Sequence, residues 1–133
     1  MPTTDLVVCR VCQQPKPANT FEVCRRIGDR VYRRKMCSAC KVVAQRSRRA
    51  QLRVWLEGYK KTLVCVRCGF SDFRALHFHH RDDEGKDFNV GDMARVGYSI
   101  EAIKAEIAKC DVLCANCHNI EHYDEMAAAR AGD

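Results

Sequence analysis

Apolar positions along the chain change period several times, and each change marks an element. Phe21-Glu-Val-Cys-Arg-Arg-Ile reads as a strand. Gly28-Asp29 supplies a turn and Val31-Tyr32 begins a return strand, which predicts a hairpin. Before it, Pro15, Pro17 and Asn19 mark a loop. From Lys41 to Lys61 the period becomes helical. There is no proline, the only glycine is Gly58, and Val43, Leu52, Trp55, Leu56 and Tyr59 form a partial stripe at spacings of three and four. Arg74–His80 returns to strand alternation, with Leu76 and Phe78 on one face and His77 and His79 on the other. A polar loop, Arg81–Asp87, contains Gly85 and leads to Phe88 and Val90, expected as a short strand. Ser99 is an N-cap candidate with Glu101 in the first turn. Ile100, Ile103 and Ile107 give the buried stripe of a helix ending near Lys109. Val112-Leu113 predicts a short strand and Ala115–Arg130 a final helix.

These elements describe a small α+β protein that cannot rely on a large apolar core, because its 133 residues make one compact unit or two small ones. Cysteine chemistry offers a second source of stability. Eight of the ten cysteines form four Cys-x-x-Cys pairs: Cys9/Cys12, Cys37/Cys40, Cys65/Cys68 and Cys114/Cys117. Two thiolates at that spacing can meet one tetrahedral ion, so the pairs predict two structural zinc sites. The first joins Cys9, Cys12, Cys37 and Cys40 across a hairpin's length of chain. The second joins Cys65, Cys68, Cys114 and Cys117 around the histidine-bearing segments. A closed four-thiolate site leaves no position for substrate, so it implies no activity by itself. Cys24 follows the strand pattern and is expected to be small and buried, and Cys110 is expected in the core.

Charge divides the chain. Residues 1–63 carry 15 Lys+Arg and 4 Asp+Glu, a net of +11, and residues 64–133 carry 8 and 13, a net of −5. Phosphate attraction is expected of the first part and metal chemistry of the second. The domains expected are therefore 1–62, a zinc-knuckle hairpin plus a long basic linking helix, and 63–133, a metal-bearing module. Arg46, Arg48, Arg49, Arg53, Lys60 and Lys61 on the helix are the candidates for tracking a phosphate backbone, with Trp55 a packing anchor. No apolar run is long enough to cross a membrane. The start, Met1–Asp5, is polar and Leu6-Val7-Val8 is too short for a secretory leader, so a reducing cytoplasmic location is expected. The acidic stretch Glu121–Asp133 reads as a solvated helix end.

All five histidines lie within 46 residues: His77, His79, His80, His118 and His122. His118 and His122 sit four apart on a predicted helix and so project from one face. The set Cys65-x-x-Cys68, Leu76-His-Phe-His79-His80 and Leu113-Cys-Ala-Asn-Cys-His118-x-x-x-His122 resembles the HNH endonucleases, of the His-Me-finger (ββα-metal) group. The resemblance covers about residues 63–126. The whole chain looks like small phage or bacterial members with an added N-terminal four-cysteine knuckle.

That resemblance implies a metal-dependent DNA endonuclease or nickase. His79, His118 and His122 would hold the catalytic divalent ion and His80 would be the general base. The family's central Asn lies nine residues before the helix His, where this chain has Lys109. Asn116, His77 or Asp111 are the candidate supporting residues. Three imidazoles favour Mn²⁺, Ni²⁺, Co²⁺ or Zn²⁺ over Mg²⁺. The expected partner is DNA, with no membrane. A non-catalytic zinc-dependent DNA-binding or regulatory module, and a nuclease selective for branched DNA, are the competing expectations. Dimerisation would support the latter.

Overall fold

The computed structural model describes residues 5–132. Met1–Thr4 of the polar start and the terminal Asp133 of the acidic stretch lie outside it. The chain is mixed α+β and divides into two compact units, Met1–Arg48 and Arg49–Asp133. No described helix is long and apolar enough to cross a membrane.

The first unit begins with β1 (Leu6–Val8), antiparallel to β2 (Pro15–Pro17). β2 takes the place of the loop expected at Pro15 and Pro17, and Asn19 lies in the 3-10 turn Ala18–Thr20 that follows. Proline is tolerated because a two-stranded ribbon is all edge. β3 (Phe21–Ile27) and β4 (Arg30–Cys37) form the predicted hairpin around Gly28, whose φ of 53° suits glycine. The register shifts on both sides of Val23. Cys24 is exposed rather than buried, and its thiol donates to the Tyr32 carbonyl at 3.4 Å. The expectation of burial fails because the described residues of this unit supply no layer to cover that face. The buried cluster is Cys9, Phe21 and Cys37, with Cys12 and Cys40 packed against it.

Helix α1 (Ser38–Lys60) starts three residues earlier than its apolar stripe suggested, so Cys40 lies in its first turn. The unit boundary at Arg48/Arg49 falls inside this helix rather than at residue 62. The cause is its C-terminal half. Leu52 is buried there, and Trp55, Leu56 and Tyr59 pack with it into the second unit's core.

In that unit a 3-10 turn at Phe73–Ala75, capped by the Asp72 carboxylate, leads into β5 (Leu76–His80). The expected strand at Phe88 and Val90 is absent. Val90 instead opens α2 (Val90–Val96), because Val90, Met93 and Ala94 bury one helical face and Gly97, at φ 102°, closes it. α3 (Ile100–Ile107) begins at Ser99, whose hydroxyl accepts from the Ala102 amide, as predicted. β6 (Cys110–Cys114) pairs antiparallel with β5 in the register His77↔Leu113, His79↔Asp111 and His80↔Cys110. α4 (Ala115–Ala131) follows at once. Met93, Ile103, Ile107 and the expected core residue Cys110 join Leu52 in the larger apolar cluster.

Candidate functional site

All ten cysteines are unbridged, and the structure gathers the eight paired ones into the two predicted sets. Both sets are built alike. In the first, the Cys9 amide donates to the Gln14 carbonyl and the Gln13 amide to the Cys9 carbonyl. In the second, the Cys65 amide donates to Phe70 and the Gly69 amide to Cys65. The residue after the second thiol is left-handed in both, Gln13 at φ 58° and Gly69 at φ 76°. Each partner pair then spans a strand-to-helix junction, β4 to α1 and β6 to α4.

Backbone amides point at sulfur. Cys37 and Val11 donate to Cys9 Sγ at 3.3 and 3.4 Å, and Cys117 donates to Cys114 Sγ at 3.4 Å. The hydrogen bond from the Cys37 amide leads the effects that lower Cys9 to about 6. Burial opposes ionisation of Cys65, but the amides of Cys114, Cys68 and Arg67 outweigh it and bring that thiol to about 6. Their crowded neighbours Cys40 and Cys117 are pushed up to about 12, foremost by hydrogen bonds with Cys37 and Cys114. A bound cation relieves that conflict by accepting all four thiolates. Cys68 Sγ and Cys114 Sγ lie 3.7 Å apart, close to the edge of about 3.8 Å implied by a tetrahedron with 2.3 Å zinc–sulfur bonds. Each set can hold one metal ion.

The third cluster is imidazole. His79 on β5 and His118 and His122 on α4 bring ligand nitrogens within 4.8 Å of one another. His118 Nε2 and His122 Nε2 are 3.1 Å apart, near the edge of about 3.3 Å for nitrogens bound at 2.0–2.1 Å. Burial, followed by the charges of the neighbouring imidazoles, lowers the pKa of His118, which favours the neutral form a ligand needs. Glu125, one turn beyond His122, was missed by the sequence reading. Its carboxylate lies 3.3 Å from His79 Nε2 and 3.1 Å from His122 Nδ1. Its spacing of three from His122 was the available signal.

Strand alternation separates the remaining two histidines. His77 shares the His79 face, is exposed, and places Nδ1 3.2 Å from His118 Nδ1. His80 points the other way. Its side chain is 5 % exposed, and Nε2 meets Glu106 Oε1 at 2.6 Å. Glu106 is 3 % exposed, and the same oxygen accepts from the Asp87 amide at 3.1 Å. Its other oxygen accepts from Lys109 Nζ at 2.9 Å, and Lys109 also reaches Asp87 Oδ2 at 2.7 Å. Burial alone would raise Glu106, but Lys109, His80 and the backbone amides of Asp87 and Phe88 bring it down to about 2. The loop after β5 is thus braced by Glu106 and Lys109. Asp111 accepts from Arg81 Nη1 at 3.0 Å, while Asn116 is an exposed residue of α4.

No family model, curated protein or solved structure matches this chain. The functional reading therefore rests on the residues and their geometry.

A cleft of about 300 Å³ lies beside the imidazoles. His77, His118, Lys60, Arg74 and Asn89 supply its polar lining. Burial lowers the pKa of Lys60, and Arg74 is paired with Asp72 at 2.6 Å. Of the other basic candidates, Arg46, Arg48, Arg49 and Arg53 are exposed on α1, and Lys61 pairs with Glu57 at 3.4 Å.

Proposed function

We propose that this protein is a metal-dependent nuclease of the HNH type that hydrolyses phosphodiester bonds in DNA. The observation that carries the reading is the convergence of His79, His118 and His122, one from a strand and two from the helix that follows its partner strand. The donor set suits a divalent transition ion, and the two cysteine sets suit structural zinc. His79, His118 and His122 would hold the divalent ion, which would supply charge neutralisation to the phosphate when bound. The protein's own work is positioning and proton transfer. Lys60 and Arg74 line the adjoining cleft as candidate donors to phosphate oxygens, Arg74 alongside its partner Asp72.

By the family resemblance His80 takes the proton of the attacking water. Glu106 holds its Nε2, so Nδ1 is the nitrogen left to act as base. Such a carboxylate–imidazole pair fixes the tautomer. A second assignment rests on a specific observation: His77, not His80, shares the strand face of the ligand His79 and is open to solvent.

Conversion of supercoiled plasmid by purified protein tests the activity, with Mn²⁺, Ni²⁺, Co²⁺, Zn²⁺ and Mg²⁺ in parallel. The expected result is metal-dependent nicking or linearisation that is lost in His118→Ala, with two ions per chain retained at the cysteine sites. Tight DNA binding without cleavage under any metal would replace this reading with a zinc-dependent DNA-binding module.

A further inference from the structure

A second, larger cleft of about 600 Å³ lies in the first unit and is lined by Arg10, Arg33, Arg34, Lys35 and Lys41. Only some of this charge is used internally. Arg34 and Lys41 share one carboxylate oxygen of Glu22, and Arg33 Nη1 donates to the Phe21 carbonyl at 2.8 Å. The side chains of Arg10 and Lys35 have no partner among the described residues. Five cations against the Glu22 carboxylate leave a surplus of positive charge. The rest of the lining is apolar: Val11, itself 56 % exposed, Met36 and the exposed Cys24.

Metal binding does not account for this arrangement. Lys16 is the cation placed on the first cysteine set, with Nζ 3.5 Å from Cys37 Sγ, and it does not line the cleft. A bare phosphate would need the cations but not the apolar wall. A lining that mixes apolar and cationic side chains suits a nucleotide, with the base face against Val11 and Met36 and the phosphate against Arg10 and Lys35. The volume is within the roughly 300–1,000 Å³ typical of small-molecule pockets. A base offers its face only when it is unpaired. Arg25, Arg26 and Arg30 on the same hairpin are also exposed, which extends the positive charge beyond one phosphate.

We infer that this cleft binds an unpaired nucleotide within a single-stranded nucleic-acid segment. The inference concerns binding and does not depend on hydrolysis at the imidazole site.

The full-length metal-loaded chain, without added divalent ion, is titrated with a fluorescein-labelled single-stranded 12-mer, the matching duplex and free mononucleotide. Arg10→Gln with Lys35→Gln is expected to weaken single-strand binding at least tenfold. It should also reduce the slope of log affinity against log salt by about 1.4, at roughly 0.7 per phosphate contact. Val11→Asp is expected to weaken the single strand more than the duplex. Free mononucleotide should compete at least 100-fold more weakly than the 12-mer.

A measurement on the unaltered protein stands beside the variants. Cys24 lines the cleft and belongs to neither metal set, so saturating 12-mer should slow its alkylation at least fivefold. An unchanged alkylation rate, variant binding within twofold of wild type, equal losses for duplex and single strand, or mononucleotide competing as well as the 12-mer would overturn the inference.

Discussion

At the scale of residues, Glu106 decides what His80 can do. It is a buried carboxylate that accepts from an imidazole, a lysine and two amides, so replacing it leaves the buried His80 imidazole without its partner and takes an acceptor from three further donors. Glu106→Ala is expected to cost about 3 kcal/mol, a drop in Tm on the order of 10–20 °C for the second unit. Glu106→Gln keeps the shape and tests the charge. The folded pKa lies below the ordinary carboxylate value of 4.5, at about 2. The ion's contribution is therefore fully present above pH 4.5 and lost as pH falls from there towards 2. The stability gap between wild type and Glu106→Gln should shrink as pH falls below 4.5. A gap independent of pH down to 3 would show that the charge contributes nothing.

The same scale separates the two candidate bases. Removing the true base should slow single-turnover cleavage about 10²–10⁴-fold while metal content and DNA affinity stay near wild type. His80→Ala is expected to do this, and His77→Ala to slow cleavage by less than tenfold. The reverse ranking would move the role to His77, the imidazole on the open face.

At the scale of elements, what the sequence revealed depends on the range of the interaction. The β3–β4 hairpin, α1, α3 and α4 were legible because their signals are local: a turn glycine, a serine cap, an apolar stripe. The metal sets were legible because cysteine spacing reports its own chemistry. α2 was missed because seven residues with a Phe-x-Val prelude look equally like a strand, and only packing of Val90, Met93 and Ala94 chooses. The His80–Glu106 pair spans 26 residues and had no local trace. Lys109 sits where the resemblance expects asparagine, and its ion pairs appear only once the loop is folded beside it.

Helix α1 shows how one element carries two roles. Leu52 is buried in the second unit's core, so Leu52→Ala should destabilise that unit by about 2–5 kcal/mol in denaturant melts. Arg46, Arg49 and Arg53, spaced three and four apart, form an exposed stripe. If this stripe follows a DNA duplex, changing all three to Gln should lower the salt slope of duplex binding by about 2.7, with no change in Tm beyond a few degrees. An unchanged slope would remove α1 from the interface.

For the whole molecule, the two units differ in how much structure remains once metal is taken away. The buried cluster of the first unit consists of Cys9, Phe21 and Cys37, with two further cysteines against it. Four of those five side chains are the proposed ligands, so among the described residues this unit has almost no apolar core apart from its cysteine set. The second unit has a cysteine-linked cluster around Cys65 and Cys114, and also a separate one built from Leu52, Val90, Met93, Ile103 and Ile107. Structural zinc contributes apparent binding energies of about 10–16 kcal/mol, comparable with the entire stability of a small domain. Strong chelation should therefore unfold the first unit completely, while amides of α3 retain measurable protection from hydrogen exchange. Cys9→Ser should reproduce the first effect alone and lower the metal content by one ion per chain. The imidazole ligands belong to neither apolar cluster and lie on an already paired strand and a formed helix. A weak chelator that strips only this site should abolish cleavage with no change in the exchange pattern of either unit. Loss of protection in α4 under those conditions would mean that the imidazole ion also holds the fold.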